Sequence, residues 1–267
     1  MSAHLLVKDE RRDARIDGAA TFRTARDNAR TIKERREAAQ INEHMGTVPS
    51  CSPVLTADFN LWAPTYTGPK FNVIHCDFPY GINAQASGVH PSYYDDSPET
   101  FLTLCKTLAV YLDNFCAADA HMIFWFGTSQ YSQTWENLKL LDGFQFDEVP
   151  LIWHKPTGIA PDPGRRPRRV YETAFFGWRG NARITHVQDN LYAATSANIA
   201  HAHEKPQEML EYFFSMFVDG GSRLLDPTCG SGSALRAAKA AGAGTVLGLE
   251  QDEGFAEGAI YSLKGGK

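Results

Sequence analysis

Apolar residues in this chain come in short runs that end on loops, and the spacing of those runs sets the expected architecture. Phe71-Asn72-Val73-Ile74-His75-Cys76 and Met122-Ile123-Phe124-Trp125-Phe126 read as buried strands, and Pro53-Val54-Leu55-Thr56-Ala57 as a shorter one ending at Asp58. Ser97-Pro98-Glu99-Thr100 supplies a capping hydroxyl, a first-turn proline and an acidic residue, which predicts a helix through Leu102, Leu108 and Tyr111. Tyr131 to Leu141 has helical spacing and is closed by Gly143. Glu148 to Trp153 and Tyr171 to Trp178 predict two strands of a long antiparallel excursion. Pro206 to Phe217 predicts a helix that Asp219-Gly220-Gly221 ends. Last comes a βαβ unit: strand Arg223 to Leu225, a glycine loop, helix Ala234 to Ala241 stopped by Gly242, and strand Thr245 to Leu249 ending on Glu250. Alternation of strands and helices predicts an α/β fold with one doubly wound, mostly parallel, Rossmann-like sheet.

The first 45 or so residues break this pattern, being dense in Arg, Asp, Glu and Ala. Ala19 to Gln40 predicts a helix with only Phe22 and Ile32 as a thin apolar stripe, so residues 1–50 are expected to be an N-terminal helical extension and 51–267 the main domain. A solvated helix on the main domain and a DNA-contacting or dimerising arm are both compatible with its balanced charge.

At 267 residues, 43% hydrophobic and 21% charged, the chain can bury a substantial core and lacks the composition of a disordered protein. No apolar run is long enough to span a bilayer and the N-terminus has no signal-peptide stretch, so a cytoplasmic protein is expected. Cys51, Cys76, Cys105, Cys116 and Cys229 form no Cys-x-x-Cys pair, and neither a metal site nor a disulfide framework is expected. The net charge of −5 disfavours a protein that simply coats nucleic acid and still permits a local basic cleft. Such a patch is present: Arg165, Arg166, Arg168 and Arg169 fall within a Pro- and Gly-rich basic loop, 155–170, that begins at Lys155-Pro156. Prolines and glycines preclude a helix there, leaving these cations free to reach phosphates or to act as a solvated loop.

Two motifs carry chemistry, each where a strand hands over to a loop. In Asp226-Pro227-Thr228-Cys229-Gly230-Ser231-Gly232 the glycines allow a tight turn and let backbone N–H groups face a ligand. Glu250, at the end of the next strand, is placed to accept both hydroxyls of a ribose. A dinucleotide site fits less well, because Leu235 stands where a third small residue belongs and Asp226 would oppose a pyrophosphate. Carboxylates at 226 and 250 suit a cofactor bearing a sulfonium, an amino group and a ribose. Asp77-Phe78-Pro79-Tyr80 offers a carboxylate, carbonyls stiffened by Pro79 and an aromatic face, a clamp for an exocyclic amine on a planar heterocycle. An ordinary Asp-capped turn would use the same residues.

On these motifs the chain resembles the S-adenosylmethionine-dependent DNA amino-methyltransferases of the beta group, which methylate adenine N6 or cytosine N4. In that circularly permuted family a D-P-P-Y motif precedes a D-P-F-x-G-S-G loop, with a target-recognition region and a K-P motif between. Here Asp77-Phe78-Pro79-Tyr80, His203-Glu204-Lys205-Pro206 and Asp226 to Gly232 follow that order. Ala57-Asp58, Trp153-His154-Lys155-Pro156 and Tyr171-Glu172 before Ala174-Phe175-Phe176 add to the match, which spans 53 to about 260. Phe78 replaces the family's first proline, and the recognition region, 180–202, is short and leaves few side chains to read base edges.

The resemblance implies a methyltransferase that takes S-adenosyl-L-methionine as cofactor and DNA as partner, with no membrane and no metal; a homodimer is compatible with it. Asp77, Phe78, Pro79 and Tyr80 would be catalytic, with Tyr80 stacked on a flipped-out adenine and Asp77 and the Phe78 carbonyl accepting its amine hydrogens. The Asp226 to Gly232 loop would hold the methionine part, Glu250 the ribose, and Asp58 with Phe59 the adenine ring. Lys205 would lie beside the methionine carboxylate or brace the loop. Lys155 and the four arginines would contact DNA. His75, His154 and His203 are expected to be structural, since amine methylation in this family uses no histidine. Cytosine N4 methylation, an inactive cofactor-binding DNA module and an RNA or protein amine substrate remain the alternatives.

Overall fold

The computed structural model describes residues 52–82, 95–160, 162–193 and 205–265. The expected extension over 1–50, with its helix, lies outside them, as do His203, Glu204 and the last part of the recognition region.

Nine strands and six α-helices are described, with a 3-10 turn at Thr128–Gln130. The strands are β1 (Val54–Thr56), β2 (Phe71–Cys76), β3 (Cys116–Phe126), β4 (Phe144–Phe146), β5 (Leu151–Ile159), β6 (Arg169–Arg179), β7 (Leu191–Ala193), β8 (Arg223–Asp226) and β9 (Thr245–Glu250). The helices are α1 (Phe59–Trp62), α2 (Pro98–Phe115), α3 (Tyr131–Leu138), α4 (Gln207–Phe214), α5 (Ser233–Ala240) and α6 (Glu253–Leu263). All strands join one sheet in the order β1-β9-β8-β2-β3-β6-β5-β7, with β4 also pairing β6. The run from β1 to β3 is parallel, while β6 is antiparallel to β3, β4 and β5.

The expected doubly wound, mostly parallel sheet is therefore present, and alternation along β3 shows how both faces are covered. Trp125 packs towards Phe213 of α4, whereas Phe124 meets Phe101 of α2 and Phe126 meets Tyr131 of α3. Continuous apolar strands follow from that double burial, since neither face is left to polar residues. Helix α2 starts where its sequence says it should, with the Ser97 hydroxyl accepting from the Thr100 N–H at 3.2 Å and Pro98 in the first turn.

Direction of winding is what positions the site. From β2 the chain passes through α2 to β3 on one side; from β8 it passes through α5 to β9 on the other. Strands β2 and β8 are neighbours, with Val73 opposite Leu224 and Ile74 opposite Leu225. The connections thus diverge between these two strands, and an α/β sheet opens a ligand crevice at the carboxyl ends of such a pair.

Candidate active site

Both motifs leave the sheet at that crevice, Asp77-Phe78-Pro79-Tyr80 from β2 and the glycine loop from β8. They touch: the Thr228 hydroxyl donates to the Asp77 backbone carbonyl at 3.3 Å.

The glycine loop is built by residues on three elements. Gly230 (φ +50°) and Gly232 (φ +79°) occupy the left-handed region, and a Cβ on Gly230 would meet nothing within 4 Å, so no side chain packs beside that Cα. Cys229 N–H donates to the Leu249 carbonyl at 2.8 Å, stitching the loop to β9. Glu250 holds it from the side, one oxygen accepting from Gly230 N–H at 3.0 Å and the other from Asp252 N–H at 2.9 Å. Burial raises the Glu250 pKa, and these backbone N–H groups partly oppose that.

Asp226 has a different place from the one expected. It is 2% exposed, with Oδ2 on His75 Nδ1 at 2.9 Å and Oδ1 accepting from Thr228 N–H at 3.1 Å. The Trp125 indole donates to His75 Nε2 at 3.1 Å, which makes Nε2 the acceptor and assigns the ring proton to Nδ1. Asp226 and His75 are thus a buried pair that shapes the turn instead of a carboxylate presented to a ligand. Pro227 and Cys229 are likewise buried in the turn, and Ser231 gives its carbonyl to Arg236 at 2.7 Å.

Around Asp77 lies an alternating-charge cluster. Lys205, two residues before α4 and 7% exposed, donates to Asp77 Oδ1 and Oδ2 at 2.9 Å each, to the Tyr80 hydroxyl at 3.0 Å and to Glu172 Oε2 at 3.1 Å. Tyr80 Oη in turn reaches Asp77 Oδ1 and Glu172 Oε2 at 3.2 Å each. Glu172, on β6, pairs through its other oxygen with Lys155 of β5. Two carboxylates and two ammonium groups therefore alternate, and the one buried charge among them, Lys205, is paired. Burial works against the Lys205 charge, but Asp77 and Glu172 outweigh it and raise the pKa above the ordinary lysine value. Burial also opposes the Glu172 carboxylate, yet Lys205 and Lys155 pull it down to about 2. Tyr80 is pushed well up by burial and by Asp77 and Glu172, so its hydroxyl keeps its proton. The Lys205 ammonium lies 5.1 Å from the Trp125 ring centroid, a cation–π contact that joins this cluster to His75 and Asp226.

Other expected site residues are divided. Phe78 and Phe59 are each 1% exposed with rings 6.1 Å apart, so neither ring is open to a ligand. Asp58 caps α1, accepting from Asn60 N–H at 2.7 Å. Lys155 belongs with Glu172 and lies 4.7 Å from the Trp153 ring centroid, apart from the role expected for it with the arginines. Arg165, Arg166 and Arg168 are exposed in the β5–β6 connection, where Arg165 and Arg166 N–H groups turn on the Asp162 carbonyl, and Arg169 is exposed at the first position of β6. Sequence reasoning gave Glu172 no role; its place in Tyr171-Glu172 was a signal without a partner. Among the described residues no group of three or more His, Cys, Asp or Glu could hold a metal, and no helix is long and apolar enough to cross a membrane.

No protein family matches this chain by sequence, and no curated protein does either. Solved structures do match. M1.HpyAVI in complex with SAM shares 17% identity over 79% of this chain and 98% of its own, with a TM-score of 0.61. The PvuII DNA methyltransferase, cytosine-N4-specific, shares 12% over 78% and 84%, at 0.58. TTHA0409 of Thermus thermophilus, complexed with S-adenosyl-L-methionine, shares 15% over 79% and 93%, at 0.55. At such identities the likeness is one of fold, and the fold is that of the methyltransferases.

Proposed function

We propose that this chain is an S-adenosyl-L-methionine-dependent DNA methyltransferase acting on the exocyclic N6 amine of an adenine rotated out of the duplex. One observation carries the reading: at the sheet's switch point an amine clamp, Asp77 with Tyr80, shares a hydrogen bond with a glycine loop that has nothing packed beside the Cα of Gly230. Asp77-Phe78-Pro79-Tyr80 precedes that loop along the chain, the order of the beta-group family.

The residues present fit the cofactor. Nothing packs beside the Cα of Gly230, and Glu250 is only partly buried, with lone pairs beyond the Gly230 and Asp252 N–H groups it accepts. The Gly230 to Gly232 backbone would hold the methionine part and Glu250 the ribose hydroxyls, while Phe59 would contribute backbone only. Bound there, the cofactor supplies a sulfonium-activated methyl group. Asp77 would accept a hydrogen bond from the amine and orient its nitrogen lone pair towards that methyl group, and the proton the nitrogen loses on methylation would pass to Asp77 or water. Orientation of this kind provides about 7–11 kcal/mol in well-aligned systems. Flipping the base costs about a few kcal/mol, offset by stacking on Tyr80. Arg165, Arg166, Arg168 and Arg169 would bind phosphates. Cytosine N4 would use the same clamp, and the cytosine-N4-specific enzyme among the similar folds favours it as the second reading.

Sequencing with modified-base detection, on DNA from cells expressing the protein or Asp77→Ala, tests this. Methylated adenines at high occupancy are expected with the native chain and none with the variant; equal, unmodified profiles would refute the reading.

A further inference from the structure

Lys205 stands where a substrate amine would have to bind, and its hydrogen bonds can be counted. An ammonium has three donors; here they are spread over four acceptors, two on Asp77, one on Tyr80 and one on Glu172. A carboxylate has about four lone-pair positions. On Asp77, Oδ1 is taken by Lys205 and Tyr80, and Oδ2 by Lys205, which leaves one position on Oδ2.

We propose that Glu172 is the positioning residue of the clamp: by sharing the Lys205 ammonium and the Tyr80 hydroxyl with Asp77, it divides the ion pair against which the incoming amine must compete at Asp77 and holds the cluster neutral. This rests on the function proposed above and adds a residue and a role to it. Two consequences of the geometry support it. Without the second carboxylate, Lys205 and the Tyr80 hydroxyl would converge on Asp77 alone, and a substrate amine would have to compete with an undivided ion pair. The cluster would also carry an excess positive charge from Lys205 and Lys155 while positive charge develops on the reacting nitrogen, which a water-poor site penalises strongly. Lys155, docked on the outer oxygen of Glu172 and against Trp153, fixes that carboxylate from the far side. The groups facing Lys205 are thus Asp77 and Tyr80 after β2, Glu172 on β6 and the Trp125 ring on β3.

The test is single-turnover methyl transfer to DNA by the full chain and by Glu172→Gln, Glu172→Asp, Lys205→Met and the double variant Glu172→Gln/Lys205→Met, with thermal unfolding as a control on folding. Glu172→Gln is expected to slow transfer about 10- to 100-fold with the cofactor KM within about twofold of native. Because Glu172 acts through Lys205, the double variant should be no slower than Lys205→Met alone, whereas a purely structural residue would add its own loss. Glu172→Asp keeps the charge but draws the carboxylate back, and should fall between native and Glu172→Gln. Should Glu172→Gln fail to fold, Glu172→Asp decides the matter through its several-fold loss. A Glu172 variant as fast as the native chain, or losses that multiply in the double variant, overturns the proposal. A native chain that transfers no methyl group refutes the proposed function itself, a distinguishable result.

Discussion

Trp125 shows how much of this site rests on single atoms. Fully buried, it donates its indole N–H to His75 and presents its ring to Lys205, so one side chain spans the turn-shaping pair and the clamp. Trp125→Phe keeps an aromatic ring and removes the donor, leaving His75 Nε2 buried without its partner. That should cost about 1–3 kcal/mol in denaturant unfolding; an unchanged midpoint would show that the indole hydrogen bond contributes nothing. At this scale the sequence was legible where chemistry is local: Asp77 and Tyr80 are three residues apart and do share a hydrogen bond. It was silent where partners are distant. Lys205 lies 128 positions from Asp77, and no spacing rule links Glu172 to either. Asp226 shows the other limit, since a sequence places a carboxylate at a strand end without showing that His75 and a backbone N–H already occupy it.

Among the elements, capped or continuously apolar segments were well marked: β2 ran as expected, and α2 began at its Ser97-Pro98 signal. Strands β4 and β7 were not expected, because neither contains a buried residue and so no continuous apolar run marks them. Strand β3 begins well before its apolar run and passes through the more exposed Ala117, Ala118 and Asp119, and β5 continues through Lys155 and Pro156 into what reads as a loop. The β5–β6 hairpin that results presents four exposed arginines near its tip. If that tip rests on DNA, replacing all four by Gln should flatten the dependence of log K on log salt by about 0.9 for each phosphate no longer neutralised. Fluorescence anisotropy over a salt series measures the slope, and an identical slope would take the hairpin off the DNA.

For the whole molecule, the alternation of strands and helices announced a doubly wound sheet, but pairing order decides where it opens, and that order depends on contacts between distant segments. In the middle of β3, His121 is buried against Phe176 and Phe217 and its pKa falls to about 4. The unfolded chain takes up this proton near pH 6.5, the folded one only near pH 4, so stability is complete above about 6.5 and declines as pH falls towards 4. His121→Phe should weaken that decline in denaturant melts between about pH 7 and 4; an equal slope in both proteins would remove His121 as its source. The central claim, that two strand ends bring a methyl donor to a nucleobase amine, is met most directly by nucleoside mass spectrometry. DNA incubated with purified protein and methyl-labelled S-adenosylmethionine should yield labelled N6-methyladenine, and Asp77→Ala should yield none. Unlabelled nucleosides from the native protein, or label that persists in Asp77→Ala, would contradict the account.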